Sequence, residues 1–241
     1  MKKIFLILAL AAALFAAGCD AVYEAAQGVG TTSTEPSLSE MSGGMKDALS
    51  AGVVRSVNVL GASGGFLNNP QVRIPFPPEA QFAANTLRDI GLGKLVDDFE
   101  AKLNEGAEKA VKKAVPIFKN AITGMTFNDV KNILLGGENA ATNYFKARTS
   151  TQLYNAFAPE VKGTLDQVGV TNLWTDITKK YNAIPLTNKK VETDLVKYAT
   201  NKAMDGLFLK VAEEEAKIRK DPVKRTTALM RKVFDYASRQ R

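Results

Sequence analysis

The sequence predicts an all-α protein, a single multi-helix, bundle-like domain over residues 38–241. Three observations carry this. Apolar residues recur three and four positions apart along almost the whole segment, the spacing of one helical face. Val, Ile and Tyr do not alternate with polar residues over any long stretch, so strands find little support. Start and stop signals cut the chain into helix-length pieces, with Ser, Thr, Asp or Pro before an apolar run and Gly or Pro after it.

Each element follows from those signals. A first helix is expected from Ser39 to Leu60, stopped by Gly61, and then a Gly/Pro-punctuated loop over residues 61–78. Pro78 and Glu79 open a helix through Ile90, closed by Gly91. "GKLVDDFEAKLNEGAEKAVKKA" is a long amphipathic helix that Pro116 kinks or restarts. Thr126 and Asp129 have capping-box spacing, and their helix ends at Gly136. "ENAATNYFKART" reads as a short helix, and "TSTQLYNAFAPEVKGTLDQVG" as two pieces, the second starting at Pro159. "TNLWTDITKKYNAI" is another, ended by Pro185. A long helix from Val191 to Lys220 follows, and Asp221-Pro222 caps and starts the last one. In that last helix Val223, Thr226, Thr227, Met230, Val233, Phe234 and Ala237 are expected to face the core, with Arg225, Arg231, Lys232 and Arg239 outward. No fixed-period repeat is visible.

Ahead of this domain, "MKKIFLILALAAALFAAGCD" places Lys2 and Lys3 before an apolar run, Ile4 to Ala17, that is short for a bilayer-spanning helix. Small residues then precede Cys19, the one cysteine in the chain. This resembles a bacterial lipoprotein signal, with Ala16 where Leu is more usual. The resemblance implies a signal peptide over residues 1–18 and lipidation of Cys19. It implies a protein held to a membrane by that lipid, facing the periplasm, with inner and outer membrane both open. Residues 19–37 are the lipidated cysteine and a Gly/Thr/Ser-containing flexible tether.

Composition removes whole classes of chemistry. The chain has no histidine, which excludes Ser–His–Asp and Cys–His nucleophiles and His-ligated metals. No internal disulfide can form. No cofactor or metal is expected, although carboxylate chemistry survives. The net charge of +7 is uneven: residues 20–216 carry −2, and residues 217–241 carry +7. Such a basic end suits anionic lipid, or the dipole of a C-terminal helix. Nucleic acid is not expected as a partner beyond the cytoplasm.

Catalytic motifs are weak. "GASGG" over 61–65 matches G-x-S-x-G, but a helix precedes it and no histidine exists to activate Ser63. "GLGK" over 91–94 lacks the full phosphate-loop spacing. The most informative stretch is "GLFLKVAEEEAKIRKDPVKRTT". Leu207, Val211, Glu214 and Ile218 share one face, which sets Glu214 on an apolar stripe in need of a partner. Arg225, Arg73 and Arg148 are the candidates, while Glu213–Lys217 and Glu215–Arg219 form i,i+4 pairs. These residues make a candidate polar site, either functional or an ion pair fixing helix register. Phe66, Tyr144, Phe145, Tyr181, Tyr198 and Phe208 make a candidate apolar groove, against the plainer reading of core aromatics.

Several ordered motifs, "GGFLNNPQVRIPFP", "LNEGAEKA", "AITGMTFNDVKNILLGGENAATNYF", "YNAIPL" and "DGLFLKVAEEEAKIRKDPVKRTTALMRKVF", together resemble the bacterial domain of unknown function 4197 family over about residues 38–236. Gly106 departs from the family's alanine at that place. The resemblance implies an all-α domain and transfers no catalytic residue. The resulting expectation is an envelope lipoprotein acting by binding a protein partner or an apolar ligand, without catalysis. The alternative is a carboxylate-dependent cell-wall enzyme of lytic-transglycosylase type, using Glu214 as its acid.

Overall fold

The computed structural model describes residues 35–167, 169, 171, 174, 175, 179 and 194–240. Among them lie eight α-helices and no strand. They are α1 (Leu38–Leu60), α2 (Gln81–Asp89), α3 (Gly93–Val111), α4 (Ala114–Thr123), α5 (Phe127–Leu135), α6 (Ala140–Asp166), α7 (Leu195–Lys220) and α8 (Ala228–Arg239). Single 3-10 turns precede α2 at Pro78–Ala80 and follow α7 at Pro222–Lys224. Cys19, Tyr181, the expected helix end at "YNAI" and the expected start at Val191 lie outside the described residues.

Helix α6 is central, packing against α3 and α7, with α4 and α5 across its N-terminal half. α1 lies against α7, α8 and α4. The core is continuous, from Met45, Val53 and Leu60 on α1 through Leu103 and Val111 on α3 to Leu207 and Val211 on α7.

Local chemistry accounts for most boundaries. Ser37 and Glu40 form a capping box at the start of α1, and Thr126 and Asp129 form one at α5. Asp194 caps α7 by accepting from the Lys197 N–H. α2 closes at Gly91, whose φ of +84° is the left-handed geometry that glycine adopts without a Cβ penalty. The chain breaks between Val111 and Ala114 and restarts with Pro116 in the first turn of α4, where a missing N–H costs little.

Two expectations are corrected. Pro159 does not start a new helix, because α6 runs unbroken from Ala140 to Asp166 through it. Leu153, Phe157, Val161 and Leu165, spaced four apart, are each fully buried, and that burial offsets the hydrogen bond the proline removes. The last helix does not start at Pro222. A 3-10 turn intervenes, and Thr227 caps α8 by accepting from the Met230 N–H. Val223 is therefore 83% exposed, and Thr226 and Thr227 are exposed as well. Met230, Val233, Phe234 and Ala237 do face the core.

Arg225 is also corrected. Expected outward, it is buried against the C-terminus of α7. Its Nε donates to the Ile218 carbonyl at 3.1 Å, and its Nη2 to the Arg219 carbonyl at 2.9 Å. Nη1 pairs with Asp235 at 2.6 Å, and the guanidinium lies over the Phe234 ring. A helix end supplies unsatisfied carbonyls, and a nearby guanidinium satisfies two of them at once.

Two outcomes test this packing. Phe234→Ala is expected to cost about 3–5 kcal/mol in a denaturant titration, whereas Arg239→Ala at the exposed end of α8 is expected to be near neutral. Gly106 is buried where α3 crosses α6, and an added Cβ would sit 3.4 Å from the Val161 Cα, an ordinary contact. Gly106→Ala is therefore expected to stabilise by about 0.5–1 kcal/mol, read as a higher melting temperature.

Candidate functional site

Besides Arg225, the buried charged groups among the described residues gather in two clusters. The first is built by α7. Glu215 and Arg219 are both almost wholly buried, their side chains 6% exposed. Arg219 Nη2 and Nε donate to Glu215 Oε1 at 2.8 and 3.0 Å. The Ala141 N–H donates to Glu215 Oε1 at 3.0 Å, and the Thr142 N–H and hydroxyl donate to Oε2, each at 2.9 Å. On the other side, Arg219 donates to the Ile133 carbonyl at 2.7 Å and the Leu134 carbonyl at 3.3 Å. The carboxylate thus caps the N-terminus of α6, and the guanidinium caps the C-terminus of α5. Each charge faces the helix end of opposite partial charge.

The expected buried acid, Glu214, sits one residue away and is corrected in its partners. Arg55 of α1 donates to it at 2.8 Å, and Lys217 at 2.7 Å. Arg225, Arg73 and Arg148 do not reach it. Arg225 caps α7, Arg73 pairs with Glu100 at 2.6 Å, and Arg148 lies over the Tyr144 ring. Glu213 pairs with Lys210 instead of Lys217. The Glu215–Arg219 pair forms as spaced, but inside the protein. The buried stripe of α7 runs through Leu207, Phe208, Val211, Glu215 and Ile218, one residue round from the stripe centred on Glu214.

Burial pushes the Glu214 carboxyl up, but hydrogen bonds and charge from Lys217 and Arg55 outweigh it and hold the group below its ordinary value of 4.5. A general acid needs the opposite shift.

The second cluster was not read from the sequence. Glu100, Asn104 and Glu108, spaced four apart on α3, form a buried polar ladder. Asn104 accepts from the Ile74 N–H at 2.8 Å and donates back to the Ile74 carbonyl at 2.9 Å. Glu100 accepts from the Phe76 N–H at 3.1 Å, and Glu108 from the Phe66 N–H at 3.1 Å. The ladder holds the backbone of the 61–78 loop as a neighbouring strand would. Val72, Ile74 and Phe76 point inward in alternation, and Gly206 leaves room for Phe66, which a Cβ there would meet at 2.8 Å. The signal was present in "VRIPF", a five-residue apolar alternation, and in the i, i+4, i+8 polar spacing.

The described aromatic candidates do not line one groove. Phe145 and Phe208 flank Phe118 at 4.8 and 6.2 Å in the core, and Tyr144 packs beside Phe145. Phe66 is the buried side chain of the 61–78 loop itself, and Tyr198 donates to the Pro75 carbonyl at 3.2 Å. Two surface concavities instead flank α7. One, of about 330 Å³, is bordered by Asn139, Asn143, Lys146, Asp205 and Phe208. The other, of about 220 Å³, is bordered by Arg73, Tyr198, Lys202 and Asp205. Both include Leu209.

Most of the basic C-terminal side chains are engaged. Lys217, Arg219, Lys220, Arg225 and Lys232 each pair with a carboxylate, and Arg231 donates to the Arg225 carbonyl. Lys232, with the Ser37 N–H, holds Glu40 down at about 2. Among the described residues no group of three or more Asp, Glu, Cys or His is placed to hold a metal. No helix among them is long and apolar enough to cross a membrane.

The fold and its clusters define an all-helical domain whose internal charges are spent on helix ends and one loop. The chain belongs to the protein family of unknown function DUF4197, whose model matches residues 35–235. No curated protein and no solved structure matches it.

Two tests follow from the clusters. Glu215→Ala strands Arg219 and two α6 N–H groups in the interior, and is expected to cost about 3–5 kcal/mol by denaturant titration. Glu214→Gln is expected to cost up to about 1 kcal/mol near neutral pH, because its partners are half-exposed and screened. Glu214 has a depressed folded-state value, so its contribution is complete above the unfolded value of 4.5 and lost as pH falls through the lower folded value. The stability gap between wild type and Glu214→Gln should therefore close on acidification below that point. A gap unchanged down to about pH 2 would contradict the assignment.

Proposed function

We propose that this protein is a lipid-anchored protein of the bacterial cell envelope whose helical domain is a non-enzymatic binding module. The observation that carries the non-enzymatic part is the state of Glu214 and Glu215. Each is tied to a guanidinium, Glu214 to Arg55 and Glu215 to Arg219. A lytic-transglycosylase acid must hold a proton near neutral pH, and Glu214 is biased the other way. The envelope address is supported by the signal-like N-terminus ending at Cys19. The binding surface fits the open face of α7, where two concavities share Asp205 and Leu209.

Cys19→Ser is the direct test of the anchor. Wild type should carry acyl chains on its N-terminal peptide by mass spectrometry and fractionate with membranes, and the variant should carry none. An unmodified Cys19 in wild type would end the anchor reading. Incubation with purified peptidoglycan tests the enzymatic alternative. The proposal expects no anhydro-muropeptides above a buffer control, and product lost on Glu214→Gln would overturn it.

A further inference from the structure

The first two turns of α6 and the middle of α7 border a cleft of about 330 Å³. Asn139, Asn143 and Lys146 face it from α6, and Asp205, Phe208 and Leu209 from α7. The two helices run antiparallel here. Glu215 meets Thr142, while Phe208, two turns back along α7, meets Lys146, one turn forward along α6. The cleft therefore has an order: two carboxamides at one end, Lys146 over the Phe208 ring, and Asp205 at the other end. Its α6 wall is held in place, because Thr142 between the two carboxamides is bonded to Glu215 through both its N–H and its hydroxyl.

The polar groups of the cleft are uncommitted, unlike those beside it. From Lys210 to Lys220 every charged side chain of α7 is paired: Lys210 with Glu213, Glu214 with Arg55 and Lys217, Glu215 with Arg219, and Lys220 with Glu138. Among the described residues the Asp205 carboxylate has no ion pair or hydrogen bond, and the side-chain carboxamides of Asn139 and Asn143 have no hydrogen bond. Lys146 Nζ lies 5.6 Å from the centre of the Phe208 ring and donates to no oxygen. Lys146 and Asp205 thus stand near each other, opposite in charge and unpaired.

Charge and size select the ligand. Lys146 favours an anion and Asp205 a cation, so a lone ion of either sign gains one contact and is repelled by the other. A molecule carrying both charges close together satisfies the pair. The volume lies at the low end of the roughly 300–1,000 Å³ of small-molecule sites, which admits a ligand of residue size. Phe208 is only 5% exposed and offers no open ring face for a sugar to stack on. Between the charged end and the carboxamides, Phe208 and the 40% exposed Leu209 give an apolar floor that suits a short methylene stem. The carboxamides beyond it donate and accept, and so match a polar group at the end of that stem.

We infer that the α6–α7 cleft binds a small zwitterion of the α-amino acid type, with its carboxylate at Lys146, its ammonium at Asp205 and a hydrogen-bonding side chain reaching Asn143 and Asn139. The inference rests on the binding-module reading and gives the ligand chemistry of its α7 face.

The test is calorimetric titration of the full chain with L-glutamine, L-asparagine and L-glutamate as probes. The expected result is one-to-one binding of at least one of them with a Kd below about 1 mM. For that probe, the N-acetyl form lacks the ammonium and the α-amide form lacks the α-carboxylate, and each should bind about tenfold more weakly; L-leucine, without the polar side-chain end, should do the same. Lys146→Met and Asp205→Asn, both at exposed positions, should keep the wild-type melting temperature and each weaken the probe about tenfold. Asp205→Asn should leave the affinity for the N-acetyl form unchanged, and Lys146→Met that for the α-amide form, since the matching charge is already gone. Three results would overturn the inference: no saturable binding of any probe at about 10 mM, an N-acetyl or α-amide form that binds as tightly as the zwitterion, or variants with wild-type affinity. None of these bears on catalysis, so the peptidoglycan incubation still reads the non-enzymatic proposal separately.

Discussion

A carboxylate and a guanidinium, one helical turn apart on α7, face two helix ends that belong to other parts of the chain. The connection between α5 and α6 is four residues long, so the carbonyls that close α5 and the N–H groups that open α6 crowd together beside α7. Buried and unpaired, these groups would be costly. Arg219 takes the carbonyls of Ile133 and Leu134, Glu215 takes the N–H groups of Ala141 and Thr142, and the two side chains neutralise each other. A buried ion pair by itself is weak evidence for stability, because desolvation offsets its attraction. Here four of the five guanidinium N–H groups and both carboxylate oxygens are also hydrogen-bonded, and the pair fixes the register of α7 against α5 and α6 at once. Arg225 extends the same logic past the end of α7, capping it and tying it to α8 through Asp235.

The ladder of Glu100, Asn104 and Glu108 does for the 61–78 loop what the Glu215 pair does for the helix ends. A loop of that length carries many backbone polar groups, and three side chains from a single helix satisfy its inward-facing N–H groups. Polar residues in the interior are thereby occupied with architecture. The Thr200 hydroxyl and Arg55 Nη2 stand apart from this pattern, buried with no hydrogen-bond partner, and two concavities lie outside along α7.

The helical class and most boundaries were legible because they depend on local chemistry. Thr126 and Gly91 act within one turn of themselves, and a sequence displays that directly, whereas the caps at Ser37 and Asp194 escaped, with starts expected at Ser39 and Val191. What else escaped depended on long-range burial. Pro159 reads as a break by local rules, yet the stripe of Leu153, Phe157, Val161 and Leu165 carries the helix through it. Glu214 and Glu215 differ by 100° around α7, and periodicity alone could not tell which faced inward, because Phe208 widens the apolar face toward Glu215. Arg225 reads as a surface cation until the carbonyls of Ile218 and Arg219 are placed beside it. The polar ladder on α3 needed the loop it serves, 24 to 42 residues away.

Glu215 holds the N-terminus of α6 as part of the cooperative core. Amide hydrogen exchange at Ala141 and Thr142 reads it directly. First-turn amides of an ordinary helix exchange quickly, since no carbonyl of their own helix accepts from them. These two are expected to exchange only with global unfolding in the wild-type protein. In Glu215→Gln their protection should fall well below that of Leu153 in the middle of the same helix. Fast exchange of Ala141 and Thr142 in the wild type, or protection unchanged in Glu215→Gln, would contradict it.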